Sequence, residues 1–130
     1  MKKRVTGLGG IFFKAENPDT LKEWYKERLG LPVDAYGCSF KWRPEDQPDY
    51  TAMTQWSPFK AQTQYFEPSQ KQFMLNYRVE DLVGLLKILK EEGVTIVGEI
   101  EEYSYGKFGW IMDPEGNKIE LWEPIDKELL

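Results

Sequence analysis

Glu120 stands between Ile119 and Leu121 in the stretch Lys118-Ile119-Glu120-Leu121-Trp122. On an extended strand, successive side chains point to opposite faces. The carboxylate would then share a face with Lys118 and Trp122 and oppose its two aliphatic neighbours. A carboxylate placed so close to an apolar face needs a partner, which is either a structural donor or a ligand. The chemistry open to it is general-base work. The chain of 130 residues contains no histidine. That removes the commonest general base and the commonest ligand for zinc, iron and nickel. The single cysteine, Cys38, has no histidine to activate it and is expected as a small buried hydrophobe.

The elements that must position Glu120 recur within the chain. Thr63-Gln64-Tyr65-Phe66-Glu67-Pro68 reappears as Ile119-Glu120-Leu121-Trp122-Glu123-Pro124. Likewise, Gly10 to Asn17 aligns with Met74 to Asp81, and each is followed by an amphipathic stretch. The repeat predicts two similar modules sharing one core: residues 5–67 and 72–124, within a single domain over 1–130. In the first, Ile11 to Ala15 reads as a strand. Asn17 caps a helix with Pro18 at its first position, where the missing N–H costs nothing. Leu21, Trp24, Tyr25 and Leu29 form its apolar stripe, and Gly30 ends it. In the second, Phe73 to Val79 is the strand, Asp81 the cap, Leu82, Leu85, Leu86 and Leu89 the stripe, and Gly93 the stop.

Three shorter strands are expected after each helix: near Ala35–Trp42, Tyr50–Trp56 and Gln62–Phe66, then near Thr95–Ile100, Gly106–Met112 and Lys118–Trp122. The turn Asp113-Pro114-Glu115-Gly116 makes a hairpin of the last two. The resulting order, βαβββ twice, is an α+β fold whose two modules form a cupped mixed sheet. Gly10 to Gln64 is longer than Met74 to Glu120 by eight positions, and the polar loop Arg43 to Asp49 is expected to hold the excess.

Alternation sorts the side chains. Ile11, Phe13 and Ala15, with Leu75, Tyr77 and Val79, should meet the helices. The opposite parity places Phe12, Gln64, Asn76 and Glu120 on the floor of the cup. Gln64 and Asn76 are either ligand contacts or satisfied structural amides. Trp42, Trp56 and Trp110 are candidate pocket walls or core residues, and spacing does not choose between these.

The hydrophobic share of 41% and aromatic share of 15% suffice for a packed core. The net charge of −5 disfavours nucleic acid and anionic membrane surfaces as partners, and would suit a cationic or polar aromatic ligand. No apolar run is long enough to span a bilayer. Met1-Lys2-Lys3-Arg4 leads into glycines and not into an apolar signal core. One cysteine allows no internal disulfide, which fits a reducing cytoplasm.

Three segments carry a family resemblance: Asn17 through Leu31 with Trp24-Tyr25 and Leu29-Gly30-Leu31, Tyr77-Arg78-Val79-Glu80-Asp81-Leu82, and above all Tyr105 through Trp122 with its Asp113-Pro114-Glu115-Gly116-Asn117 turn. Through them the whole chain resembles the vicinal oxygen chelate superfamily, the glyoxalase, bleomycin resistance protein and dioxygenase group. The resemblance implies paired βαβββ modules, a cleft, packing as a homodimer and, in catalytic members, a divalent metal. Carried over, the ligand positions are Gly10, Gln64, Met74 and Glu120. Only Gln64 and Glu120 offer oxygen; Gly10 has no side chain, and Met74 is a soft thioether that hard cations avoid. The expectation is therefore a small-molecule-binding member without a cofactor, with Glu120, Gln64, Asn76 and Phe12 at the ligand. The alternative is a glyoxalase-type lyase or isomerase with Glu120 as base, with a divalent ion held weakly by Gln64 and Glu120. Ring-cleaving dioxygenase activity fits less well.

Overall fold

In a computed structural model, residues 4–126 are described. The element order is β1 (Val5–Ala15), α1 (Pro18–Leu29), β2 (Cys38–Trp42), β3 (Ala52–Lys60), β4 (Phe73–Val79), α2 (Leu82–Glu91), β5 (Thr95–Tyr103), β6 (Gly106–Met112) and β7 (Lys118–Pro124). Both helices start as the capping residues predict. Asn17 accepts a hydrogen bond from the Thr20 N–H at 3.1 Å, and Asp81 accepts one from the Gly84 N–H at 3.1 Å. Gly30 closes α1 at φ 72°, a left-handed conformation that glycine adopts without penalty. The two helices bury differently. Leu82, Leu85 and Leu86 of α2 pack with Val79 and Leu121 into a buried core. On α1, Trp24 and Leu29 of the expected stripe are exposed, at 51% and 60%. Tyr25 reaches an aromatic partner on the sheet beneath it, Trp56, at 4.7 Å. No helix among the described residues is long and apolar enough to cross a membrane.

All seven strands form one sheet in the order β2-β3-β1-β4-β7-β6-β5. The central strands β1 and β4 are antiparallel, with Gly10 opposite Asn76. Each has a parallel partner on its other side: β3 beside β1, with Gly10 opposite Gln55, and β7 beside β4, with Asn76 opposite Glu120. The two halves thus repeat around the β1–β4 seam.

The first half is βαββ, with no strand at Gln62–Phe66. Residues 61–72 instead form turns, held by the Thr63 N–H to the Lys60 carbonyl and the Glu67 N–H to the Gln64 carbonyl. The physical reason is that both edges of β1 are already taken, by β3 and β4. The sequence repeat at Gln64 therefore misassigns the register. Phe12 is the counterpart of Asn76, and the β3 residue opposite it, as Glu120 is opposite Asn76, is Ser57. The two halves then nearly match in length: Asn76 and Glu120 are 44 positions apart, and Phe12 and Ser57 are 45 apart (57 − 12). The strand expected near Tyr50–Trp56 is β3, which runs on through Pro58 to Lys60, past the point where proline argues for a strand end.

Candidate functional site

The parity expected for the central strands holds. Leu121 lies with α2, while Glu120 shares the other face with Asn76 across the strand pair. On that face is a cavity of about 470 Å³. Its wall runs from Asp34 and Tyr36, before β2, to Tyr105 and Phe108 at the far side of the sheet, with Gly9, Phe12, Gln55, Asn76, Glu120 and Trp122 between. Segments from opposite ends of the strand order meet around it, so the sheet is cupped.

Glu120 is 2% exposed, and three donors hold it. Asn76 Nδ2 donates to Oε1 at 2.6 Å, Trp110 Nε1 donates to Oε2 at 2.9 Å, and the Tyr65 hydroxyl also donates to Oε2. A carboxylate has about four acceptor positions, so the remaining one is on Oε1. Lys118 is close enough to act on the carboxylate charge. Its Nζ donates to the Tyr65 carbonyl at 2.7 Å and lies over the rings of Tyr65 and Trp110 at 5.3 and 5.6 Å. Burial raises the Glu120 carboxyl above its ordinary 4.5, although the three donors and Lys118 pull the other way. Burial and the neighbouring Glu120 also raise the Tyr65 phenol, so Tyr65 is a neutral donor.

This has a consequence for stability. Above pH 4.5 the unfolded chain releases a Glu120 proton that the folded chain still holds. The contribution is complete below 4.5 and is lost as pH rises through the raised folded value. The stability of wild type relative to Glu120→Gln is therefore expected to fall as pH rises from 4.5 to 8, since other carboxylates cancel in the difference. Paired urea titrations across that range check it, and a difference independent of pH would contradict a raised carboxyl.

The other expected site residues divide. Phe12 lines the cavity and Asn76 lies beside Glu120, as expected. Trp110 reaches Glu120 as a hydrogen-bond donor from a buried cluster with Phe66 and Met74. Gln64 is exposed on the 61–72 loop and is not at the site, so Gln64 and Glu120 form no common ligand pair. Trp56 is on the helix face, packed on Phe13 and Tyr25 at 5.4 and 4.7 Å. Trp42 lines a different cavity, beside Arg78. Cys38 is buried at 2% exposure, and burial raises its thiol. Sequence reasoning missed Gln55, Tyr65, Asp34, Tyr36, Tyr105 and Phe108. Gln55 is on β3, within the strand expected near Tyr50–Trp56. The rest except Phe108 come from loops, where no periodicity speaks for them.

Next to the cup, the Arg78 guanidinium lies between Trp42 and Trp122, at 5.6 and 5.4 Å from the ring centres. It donates to both carboxylate oxygens of Asp126 and, at 3.2 Å, to the Met53 carbonyl. The Tyr50 hydroxyl donates to the same Asp126. The two charged side chains are 4% and 2% exposed.

The divalent ion implied by the resemblance does not suit these residues. Gln55 Oε1 already accepts from the Ser39 hydroxyl at 2.8 Å, and three donors occupy Glu120. No group of three or more His, Cys, Asp or Glu among the described residues could hold a metal. One carboxylate and neutral amides fall short of the three good ligands typical of a catalytic centre.

The paired halves around a β1–β4 seam, cupped over a cavity with a buried carboxylate at its floor, define a class of protein built on the vicinal oxygen chelate fold. A family model for the glyoxalase-like domain matches residues 10–122, and the chain belongs to that family. Among solved structures it is similar to methylmalonyl-CoA epimerase from Mycobacterium tuberculosis, at 21% identity and TM-score 0.64, covering 99% of this chain and 95% of that one. A Streptomyces coelicolor methylmalonyl-CoA epimerase variant in complex with 2-nitronate-propionyl-CoA matches at 12% identity and TM-score 0.68, covering 93% and 99%. A structure described as an NAD-dependent benzaldehyde dehydrogenase from Legionella pneumophila matches at 13% identity and TM-score 0.57, covering 88% and 97%. At these identities the likeness is one of fold. No curated protein matches the chain by sequence.

Proposed function

We propose that this chain binds a small molecule in the cup, without a catalytic metal, and anchors its polar end on Glu120. One observation carries the reading: a buried carboxylate with an acceptor position remaining, at the floor of a cavity of about 470 Å³ walled by Phe12, Tyr105, Phe108 and Trp122. Cavities of this size and lining suit ligands of drug or metabolite size, with the few polar groups setting orientation. Trp122 in the wall makes intrinsic fluorescence a direct readout. A ligand screen followed by fluorescence and melting temperature is expected to find binders whose affinity drops about tenfold or more in Glu120→Gln, the usual effect of removing a charged hydrogen-bond partner. Binders indifferent to that substitution would place the site elsewhere.

A second reading, proton transfer by Glu120, is supported by the raised carboxyl and by the epimerases among the similar folds. A raised carboxyl is a stronger base near neutral pH. Glu120 would take the proton from a carbon next to a carbonyl and return one to the same face of that carbon, so that solvent hydrogen enters through the exchangeable carboxyl proton. Exchange of that hydrogen in heavy water, measured on 2-substituted thioesters and abolished by Glu120→Gln, is the expected sign of it. Exchange that survives the substitution would remove Glu120 from the role.

A further inference from the structure

The cavity has a charge inventory of one sign. Among the described residues that line it are two carboxylates, Glu120 at the floor and Asp34 at the rim, and no lysine or arginine. Cations close to these residues have partners of their own. Arg78 is bound to Asp126, Lys118 donates to the Tyr65 carbonyl, and Lys22 donates to the backbone carbonyls of Asp34 and Ala35. The wall holds five aromatic side chains, those of Phe12, Tyr36, Tyr105, Phe108 and Trp122. Ring faces carry negative potential and attract cations.

A second observation points the same way. Asn76 is 1% exposed, and its Oδ1 has no hydrogen-bond partner. That oxygen lies directly over Gly9, a floor residue, where a Cβ would collide with it. Buried carbonyl oxygens are rarely left without a donor, and each such case calls for an explanation. The Asn76 amide cannot be turned to cure this, because Nδ2 is committed to Glu120. Two adjacent buried acceptors at the floor are therefore short of donors, the remaining position on Glu120 Oε1 and Asn76 Oδ1.

We propose that the occupant of the cup is a small, flat organic cation carrying at least two N–H donors, of the aryl-amidinium or protonated amino-heterocycle class, with its charged end on Glu120 and Asn76. The inference rests on the reading above that the cup holds a small molecule. Each N–H of the fork meets one acceptor, and the flat body lies among the aromatic rings. A cation there also supplies the charge partner that Glu120 lacks on its cavity side, which favours its ionised form. An anion would face two carboxylates and an orphan carbonyl oxygen.

The test uses three probes of one size: benzamidine (cationic), benzamide (neutral) and benzoate (anionic). They are titrated into the full chain by calorimetry and tryptophan fluorescence. Benzamidine is expected to bind about tenfold or more tighter than benzamide, as charged hydrogen bonds over neutral ones imply, and benzoate to be weakest. The preference is expected to collapse in Glu120→Gln. It is also expected to shrink in Asp34→Asn, which keeps an acceptor for the Tyr36 and Gly37 N–H groups while losing the charge. The Asp34 variant keeps the test decisive if the buried Glu120 variant fails to fold. Benzamide or benzoate binding as well as benzamidine, or a preference unchanged in both variants, overturns the cation assignment and leaves small-molecule binding standing. If no probe and no member of a broad library binds, the binding reading itself fails, and this inference with it.

Discussion

Asp126→Ala is expected to destabilise the chain by about 3–5 kcal/mol, the usual cost of leaving a buried charge without its partner. Arg78 would remain between Trp42 and Trp122 with only the Met53 carbonyl as acceptor. Asp126 follows β7, and its salt bridge to Arg78 of β4 ties that segment back to the centre of the sheet. The loss should therefore exceed that of any surface pair, including Arg4 with Glu92, whose side chains are 44% and 47% exposed. Urea unfolding of the single and double variants makes the test specific. Arg78→Met with Asp126→Ala removes both charges, and is expected to be more stable than Asp126→Ala alone. If the double variant is the less stable of the two, Arg78 contributes through packing between the tryptophans and not through its charge.

The second large effect is expected at Gly9. Its Cβ would meet Asn76 Oδ1 and come 3.0 Å from Arg78 Cγ. Asn76 must then move, and its bond to Glu120 Oε1 is lost with it. Overpacking of this kind costs about 1–3 kcal/mol. Gly9→Ala should also abolish binding in the cup, since both floor acceptors shift. Removing the obstruction in Gly9→Ala with Asn76→Ala is expected to recover stability and not binding. A Gly9→Ala variant with wild-type urea midpoint and wild-type ligand response would show that Asn76 is not held where the structure places it.

Both predictions depend on side chains whose neighbours come from far along the chain, and this marks the limit of what could be read in advance. The helix starts at Asn17 and Asp81 were legible because capping is local: the donor is three residues away. Glu120's direction was legible because strand alternation is local too, and Ile119 and Leu121 announced the buried face. Gln64 misled because a repeat of residue types is not a repeat of hydrogen-bonding position. Only the pairing of β1 with β3 shows that Ser57 holds the equivalent place. Spacing leaves Trp56 open between pocket wall and core for a related reason. A tryptophan on a strand can face either side, and α1 covers the side it faces through Tyr25.

Taken alone, the chain of residues determined the two halves, their helices, the inward parity of Phe12, Asn76 and Glu120, and the lack of imidazole for a metal centre. These follow from periodicity, caps and composition, all readable within a few residues. The three-dimensional arrangement alone decided that Tyr65, in the turns at 61–72, donates to Glu120, that Asn76 Oδ1 lacks a donor, that Arg78 is neutralised by Asp126, and that Asp34 and Tyr105 share one cavity. Those facts join segments distant in the chain. Their energies come from desolvation and from contacts made only when the sheet curls, and no local pattern records them.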